Sequence, residues 1–318
     1  MRQSTRRNGA PPPDRDTLLA DELGTRRKNW GVSLHVALAY PNTYAVGMSN
    51  LGFHLVYRLL NDRPDCLCER VFLEPALVAR SGEPITLESG TPLGRFHMLA
   101  FAMAFENDYP HLLTMLAKAR IPLQADGRDR YAPLVLAGGI AVTANPEPLA
   151  PFLDLVVLGD AEAILPALMD RYADLLAHRA SRRRTIDALA QLPGVYDPAA
   201  FTPRYHPDGR LAAVAGSATP RRQLLRDFTG YPALGPIRTP RTIFSNFALV
   251  DVCRGCPRTC RFCMVRGVNQ PFRFRRREDL MREIVAEVPA GVTIGLVGAS
   301  LADLPGLDLL CTELLAAG

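Results

Sequence analysis

Between Val32 and His178 the chain alternates five times between strand-like and helix-like apolar patterns. "VSLHVALAY" (Val32–Tyr40) is apolar on both faces, as a parallel strand covered on both sides must be. "LGFHLVYRLL" (Leu51–Leu60) then spaces its apolar residues for a helix. "CERVFLE", "RFHMLAFAMAF" (Arg95–Phe105), "PLVLAGGIA" (Pro133–Ala141) and "LDLVVLGD" (Leu153–Asp160) read as four more strands. "YPHLLTMLAKAR" and Ala161–His178 read as helices. This alternation predicts an α/β fold with an open, doubly wound, Rossmann-like sheet. Ligands of such sheets lie beyond the carboxyl ends of the strands. Here those ends are Pro41–Asn50, Phe105–Tyr109, Gly138–Pro148 and Gly159–Glu162. The first and third are rich in Gly, Pro, Asn and Thr, which allows close backbone approach to a ligand and equally suits an ordinary tight turn.

The rest of the chain divides around that domain (31–178). Residues 1–30 read as a disordered tail with a short helix near Leu18–Leu23. Its start, "MRQSTRRNGAPPPDRD", lacks the apolar stretch of a secretory signal. No apolar run is long enough to span a bilayer, so no membrane partner is expected and the expected location is cytoplasmic. Residues 179–240 read as a basic linker with a small hairpin turning at Asp208-Gly209. Residues 241–318 return to strand and helix: "FALVDV", "RREDLMREIVAEV", "GVTIGLVGAS" and "DLPGLDLLCTELLAAG". The net charge is +5, and it is concentrated late: Arg179–Arg241 holds 11 Arg and 4 Asp. A basic half suits RNA or a phosphorylated substrate, or is a solvated surface. The second reading is favoured by composition, since 35 of the 37 basic residues are Arg.

Four of the seven cysteines fall in "DVCRGCPRTCRFCMVRG" (Asp251–Gly267): Cys253, Cys256, Cys260 and Cys263. In a reducing compartment clustered thiols point to metal or catalysis rather than disulfides. A zinc ribbon would separate its two pairs by roughly 15–20 residues, whereas only three lie between Cys256 and Cys260. One zinc held by all four would need a cramped loop. The ferredoxin spacing is not matched either. Cys256-x3-Cys260-x2-Cys263 remains, three thiols that can hold three irons of a 4Fe–4S cluster and leave the fourth open. Cys253 is a packed core thiol, a spare ligand or incidental, with the core role preferred. Cys66 and Cys68 sit on opposite faces of a strand, and Cys311 is isolated, so none has a metal role.

This CxxxCxxC run, with Arg254-Gly255 before it, Pro257 inside it and Phe262 before the last cysteine, resembles the radical S-adenosylmethionine (SAM) enzymes. The resemblance implies that Cys256, Cys260 and Cys263 ligate a 4Fe–4S cluster. It implies that SAM binds the open iron and is cleaved to a 5′-deoxyadenosyl radical acting on an unknown substrate. It implies that Phe262 packs near the adenine and that Gly298, Ala299 and Ser300 contact SAM, although Gly298-Ala299-Ser300 departs from the usual Gly-Gly-Glu. The Arg273, Arg275, Arg276 and Arg277 cluster faces SAM, an anionic substrate or, by preference, only solvent. "LAGGIAVTANPEPLAPFLDLVVLGDAEAILP" is similar to the cobalamin-binding-domain subgroup. "ALAYPNTYAVGMSNLGFHLVYRLLNDRPDCLCERVF" and "LESGTPLGRF…FENDYP" resemble an uncharacterised bacterial group of these proteins. Cobalamin is thus a candidate cofactor, but the axial-histidine motif DxHxxG is absent, and His54 reads as a helix residue rather than a ligand. The resemblance also implies a reductant such as flavodoxin or ferredoxin. The implied barrel has about six βα units, of which the first two are visible before Gly318. The expectation is therefore a chain truncated within the barrel, or one completed by a second chain. The alternatives are a non-catalytic Rossmann-like module with a degenerate or zinc-filled cysteine loop, and a cobalamin carrier.

Overall fold

The computed structural model describes residues 13–216 and 221–317. Its main sheet has six strands: β1 (Leu34–Tyr40), β2 (Cys66–Phe72), β3 (Met98–Ala102), β4 (Leu134–Gly138), β5 (Leu155–Val157) and β6 (Val195–Tyr196). They lie in the order β2-β1-β3-β4-β5-β6. The first five are parallel and β6 closes the edge antiparallel to β5. The order reverses between β1 and β3, which is the topological switch point of a doubly wound sheet.

Side-chain alternation along β1 explains why helices cover both faces. Leu34, Val36, Leu38 and Tyr40 join one core with Phe53, Tyr57 and Leu60 of the helix Leu51–Asp62 and Leu165 and Leu168 of the helix Ala161–Ala177. Ala37 and Ala39 point the other way, into a core with Leu112, Met115 and Leu116 of the helix Tyr109–Lys118. The expected doubly wound architecture is present.

Two expectations are corrected. The expected tail begins in residues 1–12, outside those described, but residues 13–30 are docked. Asp14 caps a helix at Arg15–Ala20 by accepting from the Thr17 amide at 2.8 Å, and Leu18 and Leu19 are buried. Glu22 meets Arg70, which is fully buried on β2, at 2.7 and 2.8 Å, and Leu23 bridges to Arg238. The stretch after 178 is also more than a linker. The helix Arg182–Ala190 buries Ile186 and Leu189, and β6 extends the sheet. The hairpin of β7 (Phe201–Tyr205) and β8 (Leu211–Gly216) turns around Asp208-Gly209 as expected.

A second, smaller sheet follows: β9 (Ala248–Arg254) lies between β10 (Arg273–Phe274), antiparallel, and β11 (Ile294–Gly298), parallel. The helix Arg277–Glu287 buries Leu280 and Ile284 on it, and the helix Leu307–Ala317 buries Leu310. These are the first βα units of a partial barrel. Leu51 and Leu55 of the first domain pack on Leu249 of β9, so the two sheets share a seam.

Candidate functional site

The carboxyl ends of β1, β3, β4 and β5 open into a cavity of about 350 Å³. Its floor is apolar, with Leu38, Met98, Leu136 and Met169 between sheet and helices. Its rim is polar: Asn50, Asp160 and Glu162 from the first domain, and Asp251, Arg254 and Asn269 from the second. Among the described residues no histidine lines it. His54 is buried, bonds Nε2 to the Met48 carbonyl at 2.9 Å, and is pushed down to about 4 by burial. It is a neutral core residue, as its place on the helix suggested.

The rim is an ion-pair cluster. Arg254 donates to both oxygens of Glu162 at 2.6 and 3.0 Å and to Asp251 at 3.0 Å. Arg273 pairs with Asp160 and donates to the Leu225 carbonyl at 2.7 Å and the Asn269 side chain at 2.6 Å. Arg275 donates to Asp251 at 3.3 Å, and Phe228 lies against both Arg254 and Arg275. Burial drives the Glu162 carboxyl up, but the Arg254 hydrogen bonds and charge outweigh it and hold the group below the ordinary carboxylate range. Arg273 and Arg275 are therefore buried in internal pairs rather than offered to an anion. Arg276 and Arg277 are surface residues paired with Asp279 and with Glu278 and Glu313.

The cysteine loop runs from the end of β9. Cys253 is buried and faces the end of β11; an added Cβ at Gly298 would lie 2.3 Å from its Sγ. Cys253 is thus a core thiol, and its packing leaves no free room for a Cβ at 298. Gly255 has φ +76, and a Cβ there would lie 2.1 Å from the Asn269 carbonyl, so the two roots of the loop touch. Gln270 donates to the Cys256 carbonyl and Arg258 to Asp303 at 2.6 and 3.0 Å. Ser300 donates to the same Asp303 at 2.6 Å, which ties the end of β11 to the loop. Ala299 lies between Gly298 and Ser300 in this bend.

Cys256 and Cys263 are half-buried, Cys260 is exposed, and all three thiols are free. Among the described residues no three His, Cys, Asp or Glu side chains converge as a metal site. The structure places the three thiols on one loop but does not gather them. Phe262 is 92 % exposed, so no adenine shelf is formed around it. The donor chemistry fits an iron–sulfur cluster nonetheless: three accessible thiols on a short loop with no competing carboxylate or imidazole between them. Metal binding draws its ligands together as it releases their protons, so convergence is expected to accompany loading.

Residues 52–198 match the family model described as radical SAM proteins, N-terminal. This part of the chain is similar to the N-terminal region of radical SAM proteins. The match runs from the helix Leu51–Asp62 to just past β6. An uncharacterized protein of Methanocaldococcus jannaschii is 24% identical over 282 residues, covering 88% of this chain and 52% of that protein. A radical SAM methyltransferase, TsrM, from Kitasatospora setae, solved with tryptophan substrate and a SAM analogue, is similar in fold. Its TM-score is 0.51 at 15% identity, over 89% of this chain and 51% of that one. The chain spans about half the length of the relatives it matches. No helix among the described residues is long and apolar enough to cross a membrane.

The rim cluster is not legible in the sequence, where Asp160 and Glu162 lie far from Arg254. Nothing in their spacing showed that they meet, because 92 residues separate Glu162 from Arg254.

Proposed function

We propose that this chain is the cluster-bearing part of a radical SAM enzyme, with Cys256, Cys260 and Cys263 holding a 4Fe–4S cluster. One observation carries the reading: three free thiols stand on a loop whose roots are fixed between β11 and the cavity of a radical SAM N-terminal domain. The cluster would supply the electron for reductive cleavage of SAM. The protein's part is to hold the loop, with Gly255 allowing its roots to close and Asp303 clamping Arg258. Gly298, Ala299 and Ser300 lie beside the loop, where backbone contacts to SAM would be made, and Phe262 is free to fold over the adenine. A flavodoxin- or ferredoxin-like donor is the expected reductant. Further barrel units, from a longer chain or a second one, would enclose the reaction. RNA is a candidate substrate because of the basic second half. Anaerobic reconstitution followed by iron and sulfide analysis tests the site. Cys→Ala at 256, 260 or 263 is expected to remove cluster loading, and full iron content in all three variants would sink the assignment.

The same reading gives the cavity a corrinoid. Its position beyond the carboxyl ends of the strands, at the switch point, is where a doubly wound sheet binds its cofactor. With no histidine in the lining among the described residues, cobalt would receive no imidazole from the cavity. Added hydroxocobalamin is expected to co-elute with the full chain on gel filtration. Elution of protein free of corrinoid absorbance would make the cavity a scaffold remnant.

A further inference from the structure

The acids Asp160 and Glu162 follow β5 in the first domain, while the cysteine loop belongs to the second. Arg254 immediately precedes Gly255-Cys256, and its guanidinium is gripped by Glu162 at 2.6 and 3.0 Å. Asn269, at the other root of the loop, is held by Arg273, which Asp160 pairs with. Asp160 also accepts from the Leu225 amide at 2.8 Å, so its own position is fixed. The side chains of this cluster are largely buried: Glu162 is 9% exposed, Asp160 12% and Arg254 14%. At that depth a bidentate guanidinium–carboxylate pair is directional as well as strong. Both roots of the loop are therefore fastened to two carboxylates that also form the rim of the cavity.

The geometry points to Glu162 and Asp160 as positioning residues for the cysteine loop: the N-terminal domain, through the wall of its ligand cavity, sets where the cluster-binding thiols stand. The functional consequence rests on the cluster assignment above, but the anchoring does not. A ligand in the cavity would touch the same carboxylates, so filling the cavity and ordering the loop are linked.

The test uses the full chain without cluster, and reads amide hydrogen exchange across Val252–Phe274. Glu162→Gln keeps the shape of the side chain and removes its charge. Exchange at the roots of the loop is expected to rise about tenfold, equivalent to roughly 1.4 kcal/mol lost from local anchoring. The control is Asp154→Asn at the opposite end of β5, where Asp154 binds Arg128 and Arg182 in a more deeply buried cluster. It is expected to leave the loop roots at the wild-type rate. Wild-type exchange in Glu162→Gln, or an equal rise in Asp154→Asn, would overturn the proposal. If β1 and β4 also exchange faster in Glu162→Gln, the chain has opened globally and Arg254→Lys replaces it. That variant keeps the charge and loses the bidentate fork, and the same two outcomes decide. A second arm reconstitutes both variants and follows iron loss to a chelator. Faster loss only in the Glu162 or Arg254 variant is expected. If no variant or wild type takes up iron, the cluster assignment fails while the exchange result still decides the anchoring.

Discussion

Gly298 and Cys253 show how one contact can carry a constraint that looks functional. Gly298 is proposed to contact SAM, yet the thiol beneath it already crowds any added side chain. Gly298→Ala must push Sγ or the strand aside, and overpacking of this kind costs about 1–3 kcal/mol. A drop in denaturant midpoint is expected for Gly298→Ala, and most of it should return in the double variant with Cys253→Ala. If the double variant is no more stable than the single one, the crowding argument is wrong. Burial, the largest cause, also raises the Cys253 thiol above its usual range, which suits a packed residue rather than a metal ligand.

The strands and helices of the first domain were readable because periodicity reports burial directly. β1 is apolar on both faces since helices cover both, and the helix Leu51–Asp62 shows one apolar stripe since one face is covered. The segments that escaped were those whose order comes from distant partners. Residues 13–30 carry little apolar periodicity, but Glu22 is drawn onto Arg70, which also binds Glu88 at 2.6 Å. β6 is two residues long and exists only because β5 offers an edge. The cysteine motif was legible from spacing alone, whereas its anchoring through Glu162 was not, being a contact between domains. The Glu22–Arg70 pair makes a prediction of its own. Glu22→Ala leaves a fully buried guanidinium with one carboxylate fewer, and loss of one partner from such a pair costs about 3–5 kcal/mol. Denaturant unfolding should show that loss, together with proteolysis near residue 20 under native conditions. Stability within about 0.5 kcal/mol of wild type would mean the segment is not held by this pair.

Taken together, the two sheets meet along a seam that is apolar at Leu51, Leu55 and Leu249 and ionic at Asp160, Glu162 and Arg254. The cavity opens on that seam, and the cysteine loop hangs from it. The cavity of the first domain and the cysteine loop are thereby brought to one seam. The proposed cluster leaves one iron open to SAM. The most direct measurement is electron paramagnetic resonance of the anaerobically reconstituted, reduced full chain, with and without SAM. A 4Fe–4S signal whose g-values shift on adding SAM is the predicted result. No cluster signal, with zinc near one per chain and no sulfide, would contradict it.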